Sequence, residues 1–515
     1  MVKNVFKNFY LPRLVPLIFI ASLACLSFYG FYFLNLNSLY PLLCAGCCFL
    51  AALCIKKKRG KKTMLFSAFA LLVCFIALGR YRYFIRSPMS LLPLKNTASI
   101  TAALIGEPRP VGQYYAVNCR VRAVYDKRGN KFSAHGNAKI FFPRALIEQN
   151  LSGGISLIAS KNNDNDSDCR IFASGVVLKA AVRYAANENG LDCFFAEKDL
   201  PQFLAWTSPL EHIRGTLRFH LMRLLFSWGN AGALLLALIA ADKNFLAPEV
   251  HTAFITCGLA HVLALSGMHI SIVSTASRKI SGGIFSKKLT DIISLIAIIM
   301  FVWFAGESPS LTRALGMAAI LICTRLITVK ISVMSAMSLM FVLHLLFKPE
   351  DALSISFMLS YGALAGILLF GEALNTIAAG KAPPYILQSF TASFGAQMFT
   401  LPIIAFTLKR VSLIGLLSSS LISPLIGWFL IFGLLAVFLS AVCVPLAPIL
   451  GILLNYFYNG IMQVVNVFAG IFNFTVQDTA AAVLFVIVPI FLGILCMYFQ
   501  NKIVIRRAAC AKSAL

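Results

Sequence analysis

Residues 258–272 read GLAHVLALSGMHISI, a stretch greasy enough to lie within a bilayer yet interrupted by His261, His269 and the Ser266-Gly267 pair. Polar groups at that depth lack water, so such positions mark a pathway or a site rather than an anchor. Ser266 and His269 are three residues apart and would share one face of a helix, while Gly267 permits close backbone approach or a break in the helix.

The rest of the chain agrees with a membrane setting. Of its 515 residues 59% are hydrophobic and the mean hydropathy is +0.82, more apolar residue than one water-soluble core needs. Much of it falls in runs near bilayer length. Lys and Arg number 45 against 19 Asp and Glu, leaving +26, and twelve basic residues but no acidic one precede position 95. Part of that excess is topogenic, since Lys and Arg hold loops on the cytoplasmic side. The remainder suits a polyanionic substrate such as DNA.

In residues 1–94, three apolar segments (Leu14 to Leu34, Leu39 to Ile55, Thr63 to Gly79) surround the basic run KKKRGKK at 56–62. That run is expected in the cytoplasm with Lys3, Lys7 and Arg13, and the third segment then delivers the chain to the extracytoplasmic side near Arg80. The first segment reads as an anchor rather than a cleaved signal, being long, poor in small-residue cleavage sites and followed by further spans.

Residues 95–205 change character. Tyr115 to Tyr125 alternates, with Val117, Cys119, Val121 and Ala123 on one face and Asn118, Arg120 and Arg122 on the other, the period of a half-buried strand. Lys127 to Asn130 supplies a turn. Further runs at Ala138 to Phe142, Gly154 to Ala159 and Ile171 to Lys179 predict a compact antiparallel sheet of about five short strands, which fits a small OB-like β-barrel. Such barrels bind single strands through basic and aromatic surface residues, making Arg120, Arg122, Lys127, Arg128 and Lys131 candidates. The bland alternative is a solvated face, and 14 basic against 10 acidic residues make the domain only weakly positive. Asp164, Asp166 and Asp168 start like a calcium loop, but Cys169 stands where such a loop needs Gly and Gly175 where it needs Glu, so a polar turn is expected. Cys119, Cys169 and Cys193 would face an oxidising compartment, and the expected pair is Cys119 with Cys169. The other cysteines lie in or beside apolar segments as small packing residues, and no metal site is expected.

Trp206 to Trp228 carries His212, Arg214, Arg218, His220 and Arg223 among leucines at helical spacing, a basic amphipathic helix suited to the membrane surface. Arg214 and Arg218 could gather phosphate there, or simply belong to an interfacial helix. From 229 to 515 apolar segments dominate. Ala231 to Ala241 stops short of a full span before Asp242, Thr252 to Ala276 reads as one segment, and Ser423-Pro424 splits another. Interrupted helices are tolerated where they line a protein-enclosed cavity.

Several ordered motifs then converge on one family. Ala241-Asp242-Lys243, GLAHVLALSGMHISIV at 258–273, FAGESPSLTRALGMA at 304–318, SISFMLSYGALAGI at 354–367, the Ala396-Gln397 to Leu401-Pro402 stretch and SSSLISPL at 418–425 together resemble the ComEC family of competence membrane channels. The resemblance covers about Ala240 to Gly433. It implies a polytopic α-helical protein of the bacterial inner (plasma) membrane with an extracytoplasmic small β-barrel domain, passing one strand of DNA into the cell during natural transformation. Ala241 departs from the family's Gly-Asp-Arg/Lys element. The family's metallo-β-lactamase-like nuclease domain is not expected, because its metal site needs a dense His and Asp cluster and the last of seven histidines is His344.

The core residues carry a physical argument of their own. A strand bears one phosphate charge per nucleotide, so a route through hydrocarbon must offer polar groups and cations along its length. Asp242, Lys243, His261, Ser266, Gly267, His269, Ser310 and Arg313 are the candidate pathway residues. Arg313, inside an apolar segment, faces a phosphate or forms an internal ion pair with Asp242, Asp291 or Glu307. A serine beside a histidine also invites a hydrolase, but nucleophilic catalysis needs an orienting group and oxyanion donors. His261 and His269, eight apart, lie about 80° round an ideal helix, a poor metal pair without a third ligand. No cofactor is expected, and no GxxxxGK[ST] stretch occurs, so an ATP-driven pull would come from a separate helicase or ATPase, with a DNA receptor and a nuclease as further partners. The competing readings are a proton- or ion-coupled transporter of a small anionic solute, with Asp242, His261 and His269 as relay, and an intramembrane hydrolase. Oligomeric state is left open.

Overall fold

A computed structural model describes residues 16–34, 39–54, 58–84, 89–90, 92–143, 173–188, 191–197, 201–243, 245–259, 261–263, 265–378, 383–407, 410–411, 415–470, 474–475 and 491–492. It is mainly helical, with a separate sheet domain inserted after the first three helices, α1 (Pro16–Phe33), α2 (Leu39–Cys54) and α3 (Lys58–Phe84). Four helical stretches, Lys62–Arg82, Lys287–Ala305, Leu417–Val442 and Val444–Ala469, are long and apolar enough to cross a membrane.

The sheet is built from β1 (Met89–Ser90), β2 (Ser99–Val111), β3 (Tyr114–Tyr125), β4 (Lys131–Pro143), β5 (Val176–Glu188), β6 (Leu191–Ala196) and β7 (Gln202–Trp206). β3 behaves as its alternation demands: Val117, Cys119, Val121 and Ala123 are buried while Asn118, Arg120 and Arg122 are exposed. The pairing runs β1-β4-β3-β2-β5-β6, and β6 also lies parallel to β4 along Ala138↔Asp192 to Phe141↔Phe195. The sheet is therefore not wholly antiparallel, and β2 to β5 run 12 or 13 residues each, longer than expected. The third expected run is displaced: the strand starts at Val176, with Ala180 and Val182 buried and Arg183 exposed. Gly154 to Ala159 and the calcium-like aspartates lie outside the described residues. Ile100, Leu104, Val117, Val121, Ile140, Phe142, Leu178 and Phe194 fill the core. At the β3-β4 turn Asp126 Oδ1 accepts the N–H of Arg128 at 2.8 Å and of Asn130 at 2.9 Å, and its Oδ2 accepts Asn130 Nδ2 at 3.0 Å. Those bonds, the Asn130 side chain foremost, hold the Asp126 carboxyl below its ordinary pKa.

Beyond the sheet come α4 (Pro209–Ser227), α5 (Gly229–Ala240), α6 (Pro248–Thr256), α7 (Gly267–Gly282), α8 (Lys287–Ala305), α9 (Pro309–Leu326), α10 (Val333–Phe347) and α11 (Ile355–Gly366). A π-helical turn, Ile367–Gly371, leads into α12 (Glu372–Ala378), and α13 (Pro384–Thr407), α14 (Gly415–Val442) and α15 (Ala447–Ala469) complete the bundle. A small pairing of β8 (Arg410–Val411) with β9 (Phe474–Thr475) joins the last loops. Two expectations are corrected here. Thr252 to Ala276 is not one helix but two, α6 and α7, separated by an irregular segment, and Pro424 does not split α14, which runs through it. Helices α4, α5, α6, α14 and α15 share one apolar core that includes Leu225, Leu234, Leu238, Phe254, Ile426, Phe429, Leu454 and Ile461. α8 sits between α7 and α9, so adjoining ends alternate. Arg278 of α7, Asp291 of α8 and Arg325 of α9 meet at one end; Ala305, Glu307 and Lys348 lie at the other.

Candidate functional site

The irregular segment between α6 and α7 is held at both ends. Cys257, where α6 stops, has its carbonyl accepting a hydrogen bond from Ser418 Oγ at 2.6 Å, and its Sγ reaches the Val465 carbonyl at 3.2 Å. A helix end inside apolar surroundings needs such partners for its free carbonyls. At the other end Ser266 caps α7: its Oγ accepts the N–H of Met268 at 3.3 Å, and its own N–H donates to His269 Nδ1 at 3.2 Å. With Nδ1 accepting, the proton of the neutral ring resides on Nε2. His269 is wholly buried, and Nε2 has no partner among the described residues. The serine–histidine spacing thus builds a capping box. Ser266 Oγ is 3.2 Å from Nδ1, but that nitrogen already accepts a backbone N–H and no carboxylate among the described residues orients the ring, so the third member a hydrolase needs is not among them. His261 lies in a turn before the helix, exposed, with Nδ1 3.1 Å from the Gly258 carbonyl, so the two histidines do not share a helix face.

Arg313 closes on this helix start. A methyl group built on Gly267 would stand 3.4 Å from Arg313 Nη2, so the guanidinium lies in van der Waals reach of the helix start. Arg313 is 8% exposed, donates from Nη1 to the Ser360 carbonyl and lies 5.8 Å from the Tyr361 ring centroid, while its Nε has no partner among the described residues. None of the three carboxylates considered for an internal ion pair is engaged with it. Asp291 pairs with Arg278 and Arg325, Glu307 with Lys348, and Asp242 acts electrostatically on Arg218. A cation beside the positive end of a helix dipole is an unfavourable pairing unless an anion joins it.

The other motifs make contacts of their own. Ser310 Oγ is 3.1 Å from Ser356 Oγ, tying α9 to α11. Gly415 approaches Gly258 and Gln397. Behind Tyr361 stand two residues that sequence reasoning missed: His344 Nδ1 is 3.3 Å from the Tyr361 hydroxyl and His344 Nε2 is 3.0 Å from Asp351 Oδ2. Nothing local signals this chain of contacts, because its members come from α10, α11 and the turn between them. Asp242 and Lys243 follow α5, half-buried, each already engaged by neighbours.

The entrance residues need a correction. Arg214 is buried, 3.2 Å from Glu211 and 3.5 Å from Glu107, and Arg218 is held by Glu107 at 3.5 Å and by three carbonyls, so neither stands open as a phosphate collar. Arg120, Arg122, Lys127, Arg128 and Lys131 are all exposed, on β3, its turn and the start of β4. The expected Cys119–Cys169 pair falls in part outside the described residues: Cys119 itself stands as a free thiol, wholly buried in the sheet core, and burial pushes its pKa up to about 12. Cys169 lies outside the described residues. Among the described residues no three His, Cys, Asp or Glu side chains gather closely enough to hold a metal ion.

The fold and site define a helical protein with segments long and apolar enough for a membrane, whose broken, polar helix starts pack together beside a sheet domain. The chain belongs to the Competence protein family, whose model matches residues 238–502. It is 24% identical over 201 residues to ComE operon protein 3 of Bacillus subtilis (strain 168), covering 39% of this chain and 25% of that protein. It is 26% identical over 200 residues to an uncharacterized protein of Aquifex aeolicus (strain VF5), covering 39% of this chain and 46% of that one. The matched region thus spans less than half the length of either curated relative. No solved structure matches.

Proposed function

We propose that the protein is a channel of the bacterial inner membrane that passes single-stranded DNA into the cell during natural transformation, with the sheet domain on the extracytoplasmic side. Membership of the Competence protein family supports a role in DNA uptake. The observation that carries the reading is Arg313: a nine-tenths buried guanidinium, set against the start of α7, with no carboxylate partner among the described residues. A backbone phosphate passing that point would meet a cation and a helix N-terminus together, the combination that recognises phosphate elsewhere. Asp242, Lys243, His261, Ser266, His269 and Ser310 are the polar lining of the same route. The sheet supports an OB-type reading, because its pairing runs from β4 through β3, β2 and β5 to β6 and back to β4. Its exposed arginines and lysines would guide the strand. A receptor, an ATP-driven helicase and a nuclease act as separate partners.

The test is uptake of transforming DNA. A deletion strain should still bind DNA at its surface but fail to internalise it; normal transformation would reject the channel. Arg313→Gln should lower uptake about tenfold or more, the loss of one charge-assisted contact, with membrane levels of the protein unchanged. Uptake equal to the parent would remove Arg313 from the route.

A further inference from the structure

Three segments far apart in sequence meet at one guanidinium. Arg218 of α4 donates from Nη1 to the carbonyls of Phe304 at 3.1 Å and Ala305 at 2.9 Å, at the C-terminus of α8, and from Nη2 to that of Ala240 at 3.1 Å, which ends α5. Its Nε lies 3.5 Å from Glu107 Oε1 in the sheet domain, and Arg214, one turn earlier, reaches the same oxygen at 3.5 Å. Two helix C-termini and a carboxylate are the negative partners such a cation seeks.

Both sides of the contact are shaped for it. β2 loses register between Ile105 and Arg109, with Gly106 at φ +79°, and that irregularity bends the strand at Glu107. Opposite, Gly306 has φ +95°, and a methyl group there would stand 2.8 Å from Arg214 Nη2. The family motif's glycine is therefore the seat of an arginine from α4. One carboxylate serves two guanidiniums whose side chains are only 9% and 10% exposed, so neutralising it would leave Arg214 with Glu211 alone and Arg218 with carbonyls but no carboxylate within ion-pair distance among the described residues.

The carbonyls that Arg218 holds immediately precede Ala241 to Lys243 and Gly306 to Ser308, the segments that present Asp242 and begin α9 ahead of Ser310 and Arg313. We propose that Arg218 is a positioning residue for both segments, and that Glu107 couples it to the sheet domain, so that the stance of that domain sets the stance of the two polar segments. This rests on the channel reading only for its functional consequence.

The experiment uses the full-length protein, purified in detergent for hydrogen exchange and assayed in the cell for DNA uptake. Glu107→Gln should speed amide exchange about fivefold in peptides spanning 238–247 and 303–308 while leaving 447–469 unchanged. It should also lower uptake about tenfold at equal membrane abundance. Glu107→Asp, which keeps the charge, should restore most of both. Arg218→Lys, which keeps the ion pair but cannot bridge three carbonyls with one planar fork, should reproduce the local exchange effect. Unchanged exchange in the two segments, or faster exchange everywhere, would overturn the coupling. Locally faster exchange with normal uptake would uphold the joint as a structural coupling and overturn the channel assignment of the two segments instead.

Discussion

At position 241 a single side chain works against its backbone. Ala241 sits at φ +57°, ψ +14°, where α5 ends in the left-handed region that disfavours any residue with a Cβ by about 1–2 kcal/mol. This accounts for the glycine in the element that Ala241-Asp242-Lys243 resembles: the turn needs the conformation, and alanine adopts it under strain. Ala241→Gly should therefore stabilise the protein by up to about 1 kcal/mol, the gain in the folded state being offset in part by the freer unfolded chain. Thermal unfolding of the detergent-solubilised protein would read it as a higher midpoint, and a lowered midpoint would contradict the strained turn. The departure at 241 was legible in the sequence; the strain was not, because nothing in the letters AD or DK reports a dihedral angle. The same limit hid the partners of Arg313. Its burial followed from its apolar neighbours, whereas the choice between carboxylate and anion depended on where Asp291, Glu307 and Asp242 fall in space, and each is engaged elsewhere.

Among the helices, close approach does what hydrophobic burial does in a soluble core, since lipid is as apolar as leucine and gives apolar faces little reason to leave it. A methyl group on Gly366 of α11 would overlap the Gly395 carbonyl oxygen of α13, and one on Gly395 would stand 2.7 Å from the Gly371 backbone nitrogen. These contacts are with backbone, which cannot swing aside as a side chain can. Gly366→Ala should cost about 1–3 kcal/mol by forcing α11 and α13 apart, measured as a lower unfolding midpoint. A midpoint equal to the parent would mean that the helices are not so closely seated. Periodicity and length marked most of these helices, and the capping serine and histidine of α7 were visible as a Ser-Gly-x-His break. Hydropathy could not separate α6 from α7, because Cys257 to Leu265 stays mostly apolar, and the Cys257 carbonyl where α6 stops is satisfied by Ser418 of α14, a partner far away in sequence. In the sheet, small residues such as Ala180 blurred the alternation that β5 follows, and the parallel β4-β6 pairing depends on contacts that no local pattern records.

For the molecule as a whole, the arrangement of charge gives the two ends of the bundle different characters. The helix ends and adjoining loops beside the Asp291 cluster carry Arg278, Lys279, Lys287, Lys288, Arg325 and Lys330 against Asp291 alone. The opposite end mixes signs: Glu107, Glu211, Glu307, Glu350 and Asp351 stand there with Arg214, Arg218 and Lys348. α3 fits the same polarity, since its basic start at Lys58 lies 22 residues from Arg80, which donates to the Phe347 carbonyl at the mixed end at 3.1 Å. At a rise of about 1.5 Å per residue, that separation is about a bilayer's hydrocarbon thickness. Basic loops are retained in the cytoplasm. The sheet domain, bound through Glu107 to the other end, is then expected on the extracytoplasmic side, an expectation argued from a different part of the chain than the basic run at 56–62. A reporter enzyme that needs disulfides to fold discriminates the sides, because such bonds form outside the cytoplasm. Inserted in the β3-β4 turn at Gly129, it should be active; inserted between α7 and α8 at Ile284, it should be inactive while the fusion remains in the membrane. The reverse pattern would invert the protein, and with it the direction in which Arg313, about one turn inside the sheet-side end of α9, would meet an incoming strand.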